Sequence, residues 1–144
     1  MDPNIHPNVL AMLVSAVASF VIGGIWYGPL FGKAWKQAMG IPPDAKPTGM
    51  GKALALNAIG ILLMAFVMAH SVAVWHASAW GLGPDKAPHV YGFFGGFFNW
   101  LGFIVPMLLN SVAFEKMSWK VFGINAAYQF VSLQIIGMIL AFWR

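Results

Sequence analysis

The sequence predicts an all-α fold: a polytopic membrane four-helix bundle, with a short amphipathic interfacial helix after helix 1. Three observations predict it. Four long stretches, at about residues 8–27, 51–78, 88–114 and 118–143, carry charge only near their ends. Each is long enough to cross a hydrocarbon core about 30 Å thick at about 1.5 Å per helical residue. Hydrophobic residues make up 60% of the chain and charged residues 8%, where soluble domains average roughly a quarter charged. A globule of 144 residues has too little interior to hide so much apolar surface. Finally, tryptophans and lysines gather at the ends of the stretches, as they do at membrane–water interfaces.

The elements follow in order. Residues 8–27 contain no charged side chain, and the seven residues before them hold no lysine or arginine. Helix 1 is therefore expected as a retained span rather than a cleaved signal segment. Segment 29–40 opens on Pro29 and closes on Gly40, the order that a short helix prefers. Phe31, Ala34, Trp35, Ala38 and Met39 fall on one of its faces, with Lys33, Lys36 and Gln37 opposite. Such a segment suits the headgroup plane; the alternative is an ordinary connector with aromatic anchors. Pro42, Pro43 and Pro47 mark a connector before helix 2. Helix 3 begins at Pro88, a favoured first-turn residue, and Pro106 is its expected kink because it cannot donate to the carbonyl of Gly102. Ser118 is the expected N-cap of helix 4. The longest polar interval runs from residue 28 to 51, so the chain reads as a single membrane domain.

Lysine placement sets the expected direction. Loop one carries Lys33, Lys36, Lys46 and Lys52, and loop three carries Lys116 and Lys120; loop two has Lys86 and the C-terminus Arg144. A lysine at the centre of a span costs about 2.5–3.5 kcal/mol, and basic loops stay in the cytoplasm. Loops one and three are thus expected inside, with both termini outside. The same lysines favour anionic lipid headgroups at loop one as partners. They form no basic groove or helix, so nucleic acid is not an expected partner. The absence of cysteine removes disulfides, thiolate metal sites and cysteine nucleophiles.

The string from Gly23 to Trp35, GGIWYGPLFGKAW, resembles the signature of domain-of-unknown-function family 1761, small bacterial membrane proteins with about four spans. The matching positions are Trp26, Tyr27, Pro29, Phe31, Gly32, Lys33 and Trp35. The resemblance implies a multi-pass protein of the bacterial inner (plasma) membrane; it implies no activity, cofactor or catalytic residue.

Small residues recur at helical spacing on three spans. Ala11, Ser15, Ser19 and Gly23 repeat every four residues on helix 1, and Ala65, Ala69, Ala73 and Ala77 do so on helix 2. Helix 3 offers Gly92, Gly95, Gly96, Asn99 and Gly102. Such stripes let backbones approach closely, which drives helix association in lipid. The sequence leaves open whether they meet within one chain or between chains. Phe93-Phe94 and Phe97-Phe98 around Gly95-Gly96 read as tight packing rather than as a flat cofactor face.

Polar residues within the spans include Asn57, His70, Asn99, Asn125 and Gln129. They are candidates for a seam lining a substrate or water path, or for interhelical hydrogen bonds worth about 0.6–2 kcal/mol each. No carboxylate or cation lies deep in a span, which argues against a proton-coupled transporter. His6, His76 and His89, with Asp2 and Asp85, are expected at the outer surface, where they form a candidate Zn²⁺ or Cu²⁺ set. No H-x-x-x-H or H-E-x-x-H spacing preforms that site. Neither G-x-S-x-G, a P-loop nor G-x-G-x-x-G occurs. The expected function is therefore non-catalytic: helix–helix association as an accessory subunit of a larger membrane complex or as a homo-oligomer. The alternative is a small permeation protein built around the polar seam.

Overall fold

A computed structural model describes residues 5–143, and no strand occurs among them. Helices α1 (Val9–Ile25), α2 (Gly32–Ala38), α3 (Met50–Val74), α4 (Pro88–Asn99), α5 (Val105–Phe114) and α6 (Trp119–Phe142) follow in chain order. Four helical stretches are long and apolar enough to span a membrane: Val9–Leu30, Met50–Val74, Pro88–Phe114 and Trp119–Phe142. The first and last have side-chain N-caps. Asn8 Oδ1 accepts from the Ala11 N–H at 3.0 Å, and Ser118 Oγ accepts from the Val121 N–H at 3.3 Å. Each bond satisfies one of the donors that the start of a helix leaves open.

Two wide π-type turns interrupt the spans, at Trp26–Leu30 after α1 and at Trp100–Ile104 between α4 and α5. Proline explains both. The Pro29 ring would strike the carbonyl of Ile25 in a regular helix, and Pro106 offers no N–H to Gly102. Widening the turn moves the bonding one residue on, so that the Phe31 N–H reaches Trp26 O at 2.8 Å and the Val105 N–H reaches Trp100 O. The expected kink near Pro106 thus takes the form of a wide turn just before it.

Helix α6 is the centre of the bundle and packs against α1, α3 and α4. Its buried residues, among them Val121, Tyr128, Ser132, Leu133, Ile136 and Gly137, lie on several of its faces. This suits a helix surrounded by others. The glycines of α4 let it approach most closely. A Cβ added to Gly92 would come within 2.9 Å of Gly137 O, and one added to Gly96 within 2.9 Å of Leu133 O. On the α1 side, Ala11, Ser15, Ser19 and Gly23 are all buried. The Ser19 and Ser132 hydroxyls are hydrogen-bonded to each other, and Tyr128 Oη donates to Ser19 O at 3.4 Å. Ala65 and Ala69 of α3 are buried with Met68 and Val72.

The structure corrects several expectations. Gly102 is exposed, with open space where a Cβ would stand, because the wide turn rotates it away from the bundle. Helix 2 does not run to residue 78: α3 ends at Val74, and Ala77 belongs to a 3₁₀ turn, Ala77–Trp80. The surface helix is shorter than 29–40, because Pro29 lies in the wide turn that precedes it and α2 begins at Gly32. His76 is not at the surface. Only 1% of it is exposed, since its ring lies against Tyr91 at 3.7 Å between centroids.

Candidate functional site

Two regions concentrate side chains that do more than fill space. The first assembles the signature residues where span 1 ends. Trp26 Nε1 donates to Ile124 O of α6 at 3.2 Å, and Tyr27 Oη donates to Asn125 Oδ1 at 2.8 Å. Trp26 packs on Phe31 at 4.6 Å, while Tyr27 meets Trp35 at 5.7 Å and Tyr128 at 5.1 Å, edge to face. Gly32 is fixed by backbone crowding: a Cβ there would lie 2.5 Å from Tyr27 O. Pro29 shapes the turn, and Lys33 is exposed on α2. The signature therefore docks α2 against the start of α6. Gln129 Oε1 and Trp35 Nε1 are buried without a partner among the described residues.

The second region lies at the other end of the bundle. A cleft of about 540 Å³ opens between α3 and α4, lined chiefly by Trp75, Val90, Phe94, Phe98 and Phe103, with Lys86 among its residues. Asn99 and Ser71 supply polarity within it. Asn99 Nδ2 donates to Gly95 O at 2.8 Å and to Ser71 Oγ at 3.3 Å. Beside the cleft, Asp85 organises the α3–α4 loop. It accepts from the Ser78 N–H at 2.8 Å and from Ser78 Oγ at 2.6 Å, and it faces His76 Nδ1 at 3.2 Å. The Lys86 N–H donates to Tyr91 Oη at 2.9 Å, and Trp80 Nε1 donates to Val74 O at 2.8 Å.

The five polar-seam residues are not joined. Asn57 is exposed on α3, His70 Nδ1 pairs with Phe66 O at 2.8 Å within its own helix, Asn99 turns to Ser71, and Asn125 turns to Tyr27. Asn125 and Gln129 share a face of α6 by spacing alone. The histidine set is likewise dispersed. His6 and His76 border one small hollow of about 50 Å³, His89 is exposed elsewhere on the first turn of α4, and Asp2 lies outside the described residues. No group of three or more His, Asp or Glu that could hold a metal occurs among the described residues.

Sequence reasoning missed the cleft. Phe94 and Phe98 sit four residues apart, on one helical face, but beside Gly95 and Gly96 they read as packing. In the structure the glycines pack inward and the aromatic rings face outward. Searches among curated proteins and among solved structures gave no match. The model of the family described as protein of unknown function, DUF1761, matches residues 10–141. Nearly the whole chain, including the docked Trp26–Trp35 segment, is thus covered, and the protein belongs to the DUF1761 family.

Proposed function

We propose that this chain is a non-catalytic protein of the bacterial inner membrane that acts through helix–helix association, as a homo-oligomer or as an accessory subunit of a larger membrane complex. The observation that carries this reading is the uncovered first half of α3. No residue from Met50 to Gly60 is buried, and burial begins only at Ile61. Ala53, Asn57 and Gly60 fall on one face of that segment, within about 60° at 100° per residue. An amide facing hydrocarbon without a partner is costly. A carboxamide carries both donors and acceptors, so a neighbouring helix satisfies it readily. Small residues on either side allow the close approach this requires.

The stripes on α1 and α4 point the other way, since they are spent on contacts within the chain. The five residues of the permeation reading have separate surroundings within one chain. In this proposal loops one and three face the cytoplasm, with Lys33 and Lys36 of α2 among anionic headgroups and both termini outside.

The chain has no cysteine, so Asn57→Cys introduces a single thiol. A thiol-reactive photo-cross-linker attached there should give a discrete adduct in native membranes from Asn57→Cys. Leu56→Cys, exposed but about 100° around the helix, should give none. An adduct of twice the chain mass identifies a homo-oligomer, and another mass identifies a subunit role. Absence of any adduct from position 57 contradicts the proposal.

A further inference from the structure

We infer that the cleft between α3 and α4 is a binding site for an acyl lipid with an anionic headgroup, taken from the leaflet on the Lys86 side of the membrane. The site is separate from the association face on α3 and does not depend on it.

Its dimensions select the class of occupant. A volume of about 540 Å³ lies within the range of about 300–1,000 Å³ typical of ligand sites. The lining runs along α4 and the wide turn after it, from Val90 to Phe103, about 20 Å at about 1.5 Å per residue. That is more than half of a hydrocarbon core about 30 Å thick, so the cleft is long and narrow. An extended hydrocarbon chain is long and thin enough to lie along it.

The chemistry of the walls agrees. Val90, Phe94 and Phe98 succeed one another at four-residue spacing, so they present one apolar strip, and Trp75 and Phe103 extend it. Phe98 and Phe103 are 57% and 71% exposed, and so available to a chain lying along them. The polar pair in the cleft is bonded within its wall: Asn99 gives its amide hydrogens to Gly95 O and Ser71 Oγ. At the loop end the exposed cation is Lys86. Lys86 has no ion pair among the described residues, and the neighbouring carboxylate, Asp85, is turned to Ser78 and His76. The bond from the Lys86 N–H to Tyr91 Oη fixes its backbone over the first turn of α4. A lysine so placed attracts an anionic headgroup while the chain descends along the aromatic strip.

The test is native mass spectrometry of the full chain in a neutral detergent, titrated with phosphatidylglycerol or with phosphatidylcholine carrying the same chains. The wild type should retain one phosphatidylglycerol per chain in preference to phosphatidylcholine. Lys86→Gln, an exposed substitution, should weaken phosphatidylglycerol about fivefold, the loss of one lysine–headgroup attraction, and leave phosphatidylcholine unchanged. Lys116→Gln, in loop three, should leave both unchanged. Val90→Trp places an indole in the cleft and should weaken both lipids, with helix content by circular dichroism checking its fold. Equal retention of the two lipids by the wild type overturns the inference, as does full phosphatidylglycerol preference in Lys86→Gln. Cross-linking of Phe98→Cys to a second protein would also overturn it, by placing a protein in the cleft.

Discussion

Gly92 of α4 and Gly137 of α6 face each other with no side chain between them. A Cβ on Gly137 would stand 2.5 Å from Gly92 O, and one on Gly92 would stand 2.9 Å from Gly137 O. Both obstacles are backbone, which cannot rotate away as a side chain does.

Gly137→Ala should therefore separate α4 from α6 and destabilise the protein by about 1–3 kcal/mol, the usual cost of overpacking. Gly102→Ala, which meets nothing within 4 Å, should cost nothing or stabilise slightly, since alanine is the better helix former. Denaturation in mixed micelles, followed by circular dichroism, measures both. Equal stability of Gly137→Ala and wild type would contradict the observed approach of the helices.

Gly32→Ala should loosen α2 from the bundle, because the new Cβ would meet Tyr27 O at 2.5 Å. Gly28→Ala, four residues earlier and in open space, should not. The expected readout is faster proteolysis within the α2–α3 connector in Gly32→Ala alone. Similar cleavage rates in the two variants would separate the signature glycine from the docking of α2.

The hydrogen bond from Tyr27 Oη to Asn125 Oδ1, at 2.8 Å, should show as a coupling. In a cycle of Tyr27→Phe, Asn125→Ala and the double variant, the interaction energy should be about 0.6 kcal/mol and no more than about 1.7 kcal/mol, as for other bonds between transmembrane helices. Additive effects would mean that the two side chains act independently.

Asp85→Asn should release the α3–α4 loop, since the carboxylate holds two Ser78 donors and faces His76. Bonds to a charged acceptor contribute about 1.5–3 kcal/mol. Amide exchange across residues 77–87 should accelerate while exchange in α6 stays the same. Unchanged protection of the loop would show that its order comes from elsewhere.

Much of the fold was legible in the sequence because the lipid solvent imposes a coarse rule: about 20 apolar residues make a span. Hence 88–114 and 118–143 closely match the observed helical stretches, and Ser118 and Pro88 stand at the helix starts expected of them. The interruptions were harder to read. Pro106 announced a kink, but local spacing does not tell that the distortion is a wide turn led by Trp100, whose Nε1 donates to Ala126 O of α6 at 2.8 Å. His76 looked like a surface residue because it stands near the outer end of the expected span 51–78; in the structure its ring lies against Tyr91, on the next helix. The cleft was invisible for the same reason. Its walls belong to two helices whose separation no local spacing encodes.

The most direct measurement is thiol accessibility in intact cells, using the cysteine-free chain as background. Single variants Thr48→Cys in loop one, Ala87→Cys in loop two and Met117→Cys in loop three are treated with a membrane-impermeant maleimide. Four crossings with basic loops inside predict labelling of Ala87→Cys alone in intact cells, and of all three after lysis. Labelling of Thr48→Cys or Met117→Cys together with Ala87→Cys before lysis would contradict a chain that crosses the bilayer four times.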